Sequence, residues 1–216
     1  PNYYSLEEPT PQWKFGLVIN EVNKGSDIGV LHSTPNALKL VDTWLAQNNK
    51  DNKKVIAITL RESSLQKRRN SNIQEWIKFI DHLDKEKYLP VIVRDIEESL
   101  NSEPLSKKCV EFNACAFNIE LRMALYERSY INLGVNNGPS HLWVFNPNCR
   151  YIMYKQITEN YHHSSAVSFK ERNFEIGGNF PGSLPFQRFV WEDDTFETIN
   201  NAFNQLCRDI DDSVSS

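Results

Sequence analysis

The chain has 216 residues, with 24 Lys or Arg against 28 Asp or Glu, a formal charge of −4, 40% hydrophobic and 24% charged residues. Such proportions describe a globular chain with room for one large or two small cores. They exclude a membrane-spanning helix, since no apolar run approaches the roughly 20 residues required, and a mildly acidic chain without long basic blocks is unsuited to non-specific nucleic-acid binding.

The opening, PNYYSLEEPTPQW, is polar and Pro-bearing, and reads as a linker or as part of a longer chain. Residues 15–20 form a possible strand, and Thr34-Pro35 starts a helix carrying Ala37, Leu38, Val41 and Leu45. Residues 53–60 (KKVIAITL) are continuously apolar and β-branched, the pattern of a strand covered on both faces. A polar, basic stretch follows at 61–70. Ser71 and Gln74 make a capping-box pattern, and Ile73, Trp76, Ile77, Ile80 and Leu83 then recur at helical spacing, which predicts a helix over 72–85. Residues 88–93 (YLPVIV) are a second strand, with Pro90 tolerable near a strand start or edge. Leu121, Ala124 and Leu125 mark a helix over 117–128, which feeds a third strand at 130–135. The chain breaks at Asn136-Asn137-Gly138-Pro139 and restarts as a helix over 141–145. Residues 150–154 and 186–191 are fourth and fifth strands, and 156–185 is a long loop without periodicity, of the kind that often carries function. Asp194 and Glu197 form a second capping pattern ahead of Phe196, Ile199, Phe203, Leu206 and Ile210, an amphipathic terminal helix.

Strand alternating with helix about five times predicts an α/β fold, a Rossmann-like parallel sheet of about five strands flanked by helices. The expected division is an N-terminal extension or remnant of an interdomain region with one helix over 1–52, the α/β domain over 53–210, and a disordered tail over 211–216. Ligands of such sheets bind outside the carboxyl ends of the strands, which directs attention to residues 61–70, 94–98 and 136–141.

The turn 135–141, V-N-N-G-P-S-H, is the most informative stretch. Pro139 suits a first helical position and makes Gly138 the cap, so the amides of Ser140 and His141 are expected to be free for an anion. Ser140 adds a hydroxyl and Asn137 a side-chain amide; a turn capped only for stability is the alternative. Arg61 stands just past the first strand, where a guanidinium fork suits phosphate, while Lys67, Arg68 and Arg69 read as a solvated basic loop. Asp95 stands at the next strand end, either to accept from a ribose or base, or to pair with Arg94 or cap the next turn. His141 is placed to meet a phosphate or sugar hydroxyl, or to serve the turn itself. His162-His163 reads as exposed loop, because adjacent histidines diverge and no third ligand has usable spacing. The four cysteines (Cys109, Cys115, Cys149, Cys207) contain no C-x-x-C and read as thiols of a reducing compartment, so a cytoplasmic location is expected. The fingerprints of dinucleotide oxidoreductases, P-loop NTPases and α/β-hydrolases do not occur.

The run ALYERSYINLGVNNGPSHLWVF resembles the donor-binding part of the C-terminal, nucleotide-sugar-binding domain of GT-B glycosyltransferases, in particular the heptosyltransferase-like group. The resemblance extends upstream through KKVIAITLRESS and QEWIKFIDHLDKEKYLPVIVRD, downstream past FVWEDD, and over about residues 53–208. It departs at Asn136-Asn137, where that group commonly has Asp-Thr or Asp-Ser, and at Trp143, where a small residue is usual. The resemblance implies a nucleotide-sugar donor on Arg61, Asp95, Asn136, Asn137, Gly138, Ser140 and His141, and glycosyl transfer without metal or other cofactor. It also implies an acceptor such as a glycan or lipid-linked saccharide, met by a second domain that supplies the base. A nucleotide-sugar epimerase of the same architecture and a non-catalytic binding domain remain open alternatives.

Overall fold

The computed structural model describes residues 12–215 except 102, 159, 160, 162, 163 and 173. His162-His163 therefore lie outside the described residues. Six parallel strands form one sheet: β1 (Lys54–Thr59), β2 (Tyr88–Val93), β3 (Val110–Glu111), β4 (Ile131–Val135), β5 (Tyr151–Tyr154) and β6 (Gln187–Phe189), in the order β3-β2-β1-β4-β5-β6. The helices are α1 (Gln12–Asn23), α2 (Pro35–Asn48), α3 (Ile73–His82), α4 (Ile96–Asn101), α5 (Ala114–Phe117), α6 (Ile119–Arg128), α7 (His141–Val144), α8 (Ala166–Glu171) and α9 (Phe196–Ser215).

Alternation along the strands divides the core in two. Val55 and Ala57 of β1 face one side, with Val91, Tyr126, Trp143, Tyr151 and Met153, while Ile56 and Ile58 face the other, with Ile92, Leu133, Ile152 and Tyr154. Both faces are covered, which is why the strands read as unbroken apolar runs. The first face carries buried Ile19 of α1 and Ala37 and Val41 of α2, with Tyr126 of α6; the second carries Trp76, Phe79 and Ile80 of α3 and Ile199, Phe203 and Leu206 of α9. Pro90 pairs in register with Ile56 of β1, and the pairing of β2 with β3 begins only at Val91, so a missing amide at Pro90 is tolerated.

Several expectations are corrected. Residues 15–20 belong to α1, not to a strand, because a short apolar run does not distinguish the two by periodicity alone. Residues 12–48 supply two helices rather than one. The sheet gains β3, whose two residues are too few to show a pattern. The terminal helix runs to Ser215, so residues 211–215 continue α9 instead of forming a tail. The two capping patterns also work differently. The Ser71 hydroxyl accepts the Arg61 amide (2.9 Å), and the first turn of α3 is held by Asp194, whose Oδ2 accepts the Asn72 amide (2.7 Å) and the Trp76 indole N–H (2.8 Å). Glu75 in return accepts the Phe196 amide at the start of α9 (2.8 Å), where Thr195 accepts from Thr198.

Candidate functional site

The chain leaves β1 toward β2 on one side and β4 toward β5 on the other, so the loops after β1 and β4 part at the carboxyl edge of the sheet. Such a switch point opens a crevice, the usual ligand site of this architecture.

The loop after β1 is folded around Arg61. Its guanidinium donates to the carbonyls of Gln66 and Leu65 (3.3 Å each) and to the Asn70 side-chain oxygen. Burial, and after it the neighbouring Arg69, pull the Arg61 pKa below its ordinary value. Asp95 accepts the Glu62 amide through Oδ2 (2.7 Å), and Arg94 grips the Glu62 carboxylate with two nitrogens. The Arg94–Asp95 pairing weighed from sequence is thus replaced by Arg94–Glu62, and that carboxylate raises the Arg94 pKa through its hydrogen bonds. Arg61 and Asp95 are committed to shaping the loop. What the loop presents is Arg69, which donates to Gln66 Oε1 and to the Asn136 carbonyl (3.2 Å each) and lies 4.8 Å over the Tyr161 ring. Arg69 crosses from the β1 loop to the end of β4; Lys67 and Arg68 are exposed.

The turn after β4 is closed on itself. Asn137 Oδ1 accepts the Ser140 amide (2.9 Å), the Ser140 hydroxyl donates to the Asn137 carbonyl (2.7 Å), and the His141 amide donates to the Gly138 carbonyl (3.2 Å). The expectation that the Ser140 and His141 amides stand free for an anion is therefore corrected: an Asn at 137 supplies an acceptor that captures the first amide itself, as a capping side chain does. Ser140 is fully buried and Asn137 nearly so. His141 Nδ1 lies 3.1 and 3.0 Å from the carbonyls of Asn137 and Gly138. Carbonyls only accept, so the proton of the neutral ring resides on Nδ1 and Nε2 is its acceptor nitrogen. Asn136 continues the ladder by donating its amide to the Tyr154 carbonyl (3.0 Å).

The turn separates two hollows, both lined by His141. One, about 390 Å³, is mainly apolar, with Leu31, Phe117, Ile119, Leu142 and Phe145 beside Gly138. The other, about 160 Å³, lies beyond the ends of β4 and β5 and is lined by Arg69, Asn136, Gln156, Tyr161, Ser164 and Arg172 over an apolar floor. A third cavity, about 570 Å³, lies at the opposite, amino-terminal edge beside Lys54, Tyr130 and Arg150, away from the switch point. Lys155, at the end of β5, adopts φ +57° and reaches the Asn70 carbonyl (3.3 Å) and Asp194 (3.5 Å), tying three loops of the carboxyl edge together. Among the described residues no three His, Cys, Asp or Glu side chains gather as a metal site, and no helix is long and apolar enough to cross a membrane.

The crevice thus brings together Asn136, Gly138 and His141, uses Arg61, Asp95, Asn137 and Ser140 to hold its walls, and adds Arg69, Gln156, Tyr161, Ser164 and Arg172. The last four lie in the long loop that the sequence marks only as a whole; the basic and aromatic run FKERNF was the available signal.

No protein-family model matches the chain, and no curated protein matches it. Among solved structures it is similar to the crystal structure of the glycosyl transferase family 9 from Veillonella parvula DSM 2008, with a TM-score of 0.55 and 10% sequence identity over 82% of this chain and 53% of that one. The chain spans about half the length of that structure. At such identity the likeness is one of fold: a six-stranded parallel sheet flanked by helices, matching a Rossmann-like half of a GT-B fold.

Proposed function

We propose that this is a glycosyltransferase-like domain that binds a nucleotide-diphosphate sugar across the turn 136–141. The observation that carries the reading is the pair of hollows on the two sides of that turn at the β1/β4 switch point: an apolar one suited to a base, and a cationic one. The fold likeness to a family 9 glycosyl transferase supports the same reading. His141 lines both hollows, while Gly138, where an added Cβ would meet nothing within 4 Å, lets a ligand approach the backbone. Arg61 and Asp95 act through the loop they hold, and Asn137 and Ser140 through the turn.

Thermal shift and calorimetry with purine and pyrimidine nucleoside diphosphates and their sugar conjugates test this. One nucleotide class is expected to bind, and His141→Ala is expected to weaken it by roughly 1 kcal/mol, the worth of a typical hydrogen bond. Binding is expected to persist after chelation, because the positive charge comes from guanidinium groups. Absence of any nucleotide effect at millimolar concentration would overturn the reading.

A further inference from the structure

Arg122 is a buried cation that the fold does not neutralise. It stands in the first turn of α6, is only 7% exposed, and lines the 390 Å³ hollow on the apolar side of the turn. Its side chain donates once, from Nε to the Cys115 carbonyl (2.6 Å), and makes no ion pair among the described residues. Its charge acts on the Cys115 thiol and the Tyr126 hydroxyl, which burial pushes up to about 12 each, so both are neutral at pH 7. Buried charges are ordinarily paired, and the first turn of a helix is where a cation is least favoured. One carbonyl contact to α5 does not balance those costs.

A separate observation concerns what the hollow leaves open. Neither terminal nitrogen of Arg122 is among the polar atoms sealed from solvent, so the end of its fork is free to donate. Around it the walls are apolar, and two of them, Phe117 and Ile119, are 53% and 65% exposed. A flat heteroaromatic base answers both features: its face covers the apolar walls and its edge meets the guanidinium. That group only donates, and it offers its donors side by side. Guanine sets two acceptors, O6 and N7, next to each other on the edge away from its sugar. Adenine has an amino donor beside N7 on that edge, so one N–H of the fork would face another N–H. Uracil separates its two carbonyls by an N–H, and cytosine carries its second acceptor, O2, on the sugar edge.

We propose that Arg122 is the base-reading residue of this chain and selects guanine by paired donation to O6 and N7. The proposal rests on the nucleotide-sugar reading and names the nucleotide which that reading leaves open.

Calorimetry on the full chain tests it with the diphosphates of guanosine, inosine, adenosine, uridine and cytidine, and with a deaza analogue of guanosine diphosphate that lacks N7. The guanosine ligand is expected to bind about tenfold or more tightly than the adenosine one, as one well-placed bidentate contact discriminates. Inosine diphosphate, which keeps O6 and N7, is expected to bind comparably to it, and the deaza analogue several-fold more weakly. These comparisons need no variant, so they hold whatever a substitution does to folding. Arg122→Met keeps the apolar stem and removes the fork; it is expected to abolish the preference by weakening guanosine diphosphate while leaving adenosine diphosphate nearly unchanged. A residue that only joined α5 to α6 would weaken both ligands alike. Adenosine diphosphate binding as tightly as guanosine diphosphate, or a preference for guanine that survives Arg122→Met, would overturn the proposal and leave the nucleotide reading standing. Absence of binding by every one of these diphosphates at millimolar concentration would overturn both.

Discussion

A single methyl group distinguishes two glycines of the β4 segment. At Gly134 a Cβ would meet the Thr59 carbonyl oxygen at 2.7 Å and the Trp143 ring at 3.1 Å, so β4 needs a glycine to lie against β1 with the indole above it. At Gly138 a Cβ would meet nothing within 4 Å. Gly134→Ala is expected to cost about 1–3 kcal/mol in urea unfolding, as overpacking does; Gly138→Ala is expected to stay within about 0.5 kcal/mol yet weaken nucleotide binding, because the added methyl stands where a ligand approaches. Equal destabilisation by both would contradict this account. The thiols give a second expectation at this scale. Burial pushes Cys115 up to about 12 and Cys109 to about 11, and raises Cys149 and Cys207 as well. A raised thiol pKa contributes stability below its unfolded value, near 9, that is lost as pH rises above it. At pH 8 the folded chain should therefore react with a thiol reagent far more slowly than the chain in urea, and rapid stoichiometric labelling of all four would be contrary evidence. Residue roles were the least legible part of the sequence. Arg61 carries the strand-end position but turns back into its own loop, while Arg69, which reads as solvated, reaches the neighbouring strand end. Side-chain direction within an irregular loop follows from which carbonyls the loop exposes, and no spacing rule encodes that.

Among the elements, α3 and α9 are joined by an exchange of caps. Asp194 closes the start of α3 and Glu75, in the first turn of α3, closes the start of α9. Asp194 stands out in the sequence as a capping residue and Glu75 does not; a capping pattern presumes that acceptor and amide belong to the same helix, and here each acceptor serves the other. Asp194→Ala removes two hydrogen bonds to a buried carboxylate and leaves the Trp76 indole N–H without a partner, at an expected cost of about 3 kcal/mol from two charge-assisted bonds of about 1.5 each. Chemical denaturation measures it directly, and a loss below about 0.5 kcal/mol would mean that the exchange contributes little. Acid should loosen the same junctions. Glu75 is held below its ordinary value by Lys78 and then by the Phe196 amide, Asp209 by Arg188, and Asp42 by Arg128. A depressed carboxylate contributes stability above its unfolded pKa that disappears as pH falls through the folded one. The unfolding midpoint should consequently be insensitive to these groups between pH 7 and 5 and fall below about pH 4, near the ordinary carboxylate range; a midpoint that rises in acid would reverse the sign. The exposed Asp42–Arg128 pair contributes a small part, about 0–1 kcal/mol.

For the molecule as a whole, the parallel sheet was readable because both of its faces are covered, so β1, β2, β4 and β5 appear as apolar runs separated by helical periodicity. Strand order was not readable, since β3 is two residues long and β1 and β4 pair across 71 residues of chain, from Ile56↔Ile131 to Thr59↔Gly134. That order nevertheless decides where chemistry is possible. It places the loops after β1 and β4 around one crevice on the carboxyl edge. Glycosyl transfer needs an acceptor hydroxyl held in line with the donor and a base to take its proton, and much of the rate comes from that positioning. On the glycosyltransferase-like reading proposed above, a facing domain would provide both. The 216-residue chain is therefore expected to unfold in a single cooperative transition, since α1, α2 and α6 share one core with the sheet and α3 and α9 the other, and to bind a nucleotide ligand at its crevice. It is not expected to release nucleoside diphosphate from a nucleotide sugar over multiple turnovers, with or without saccharide acceptors. Catalytic release by this chain alone, abolished by His141→Ala, would show that the residues around the turn already hold a base and an acceptor site, and that the facing wall is dispensable.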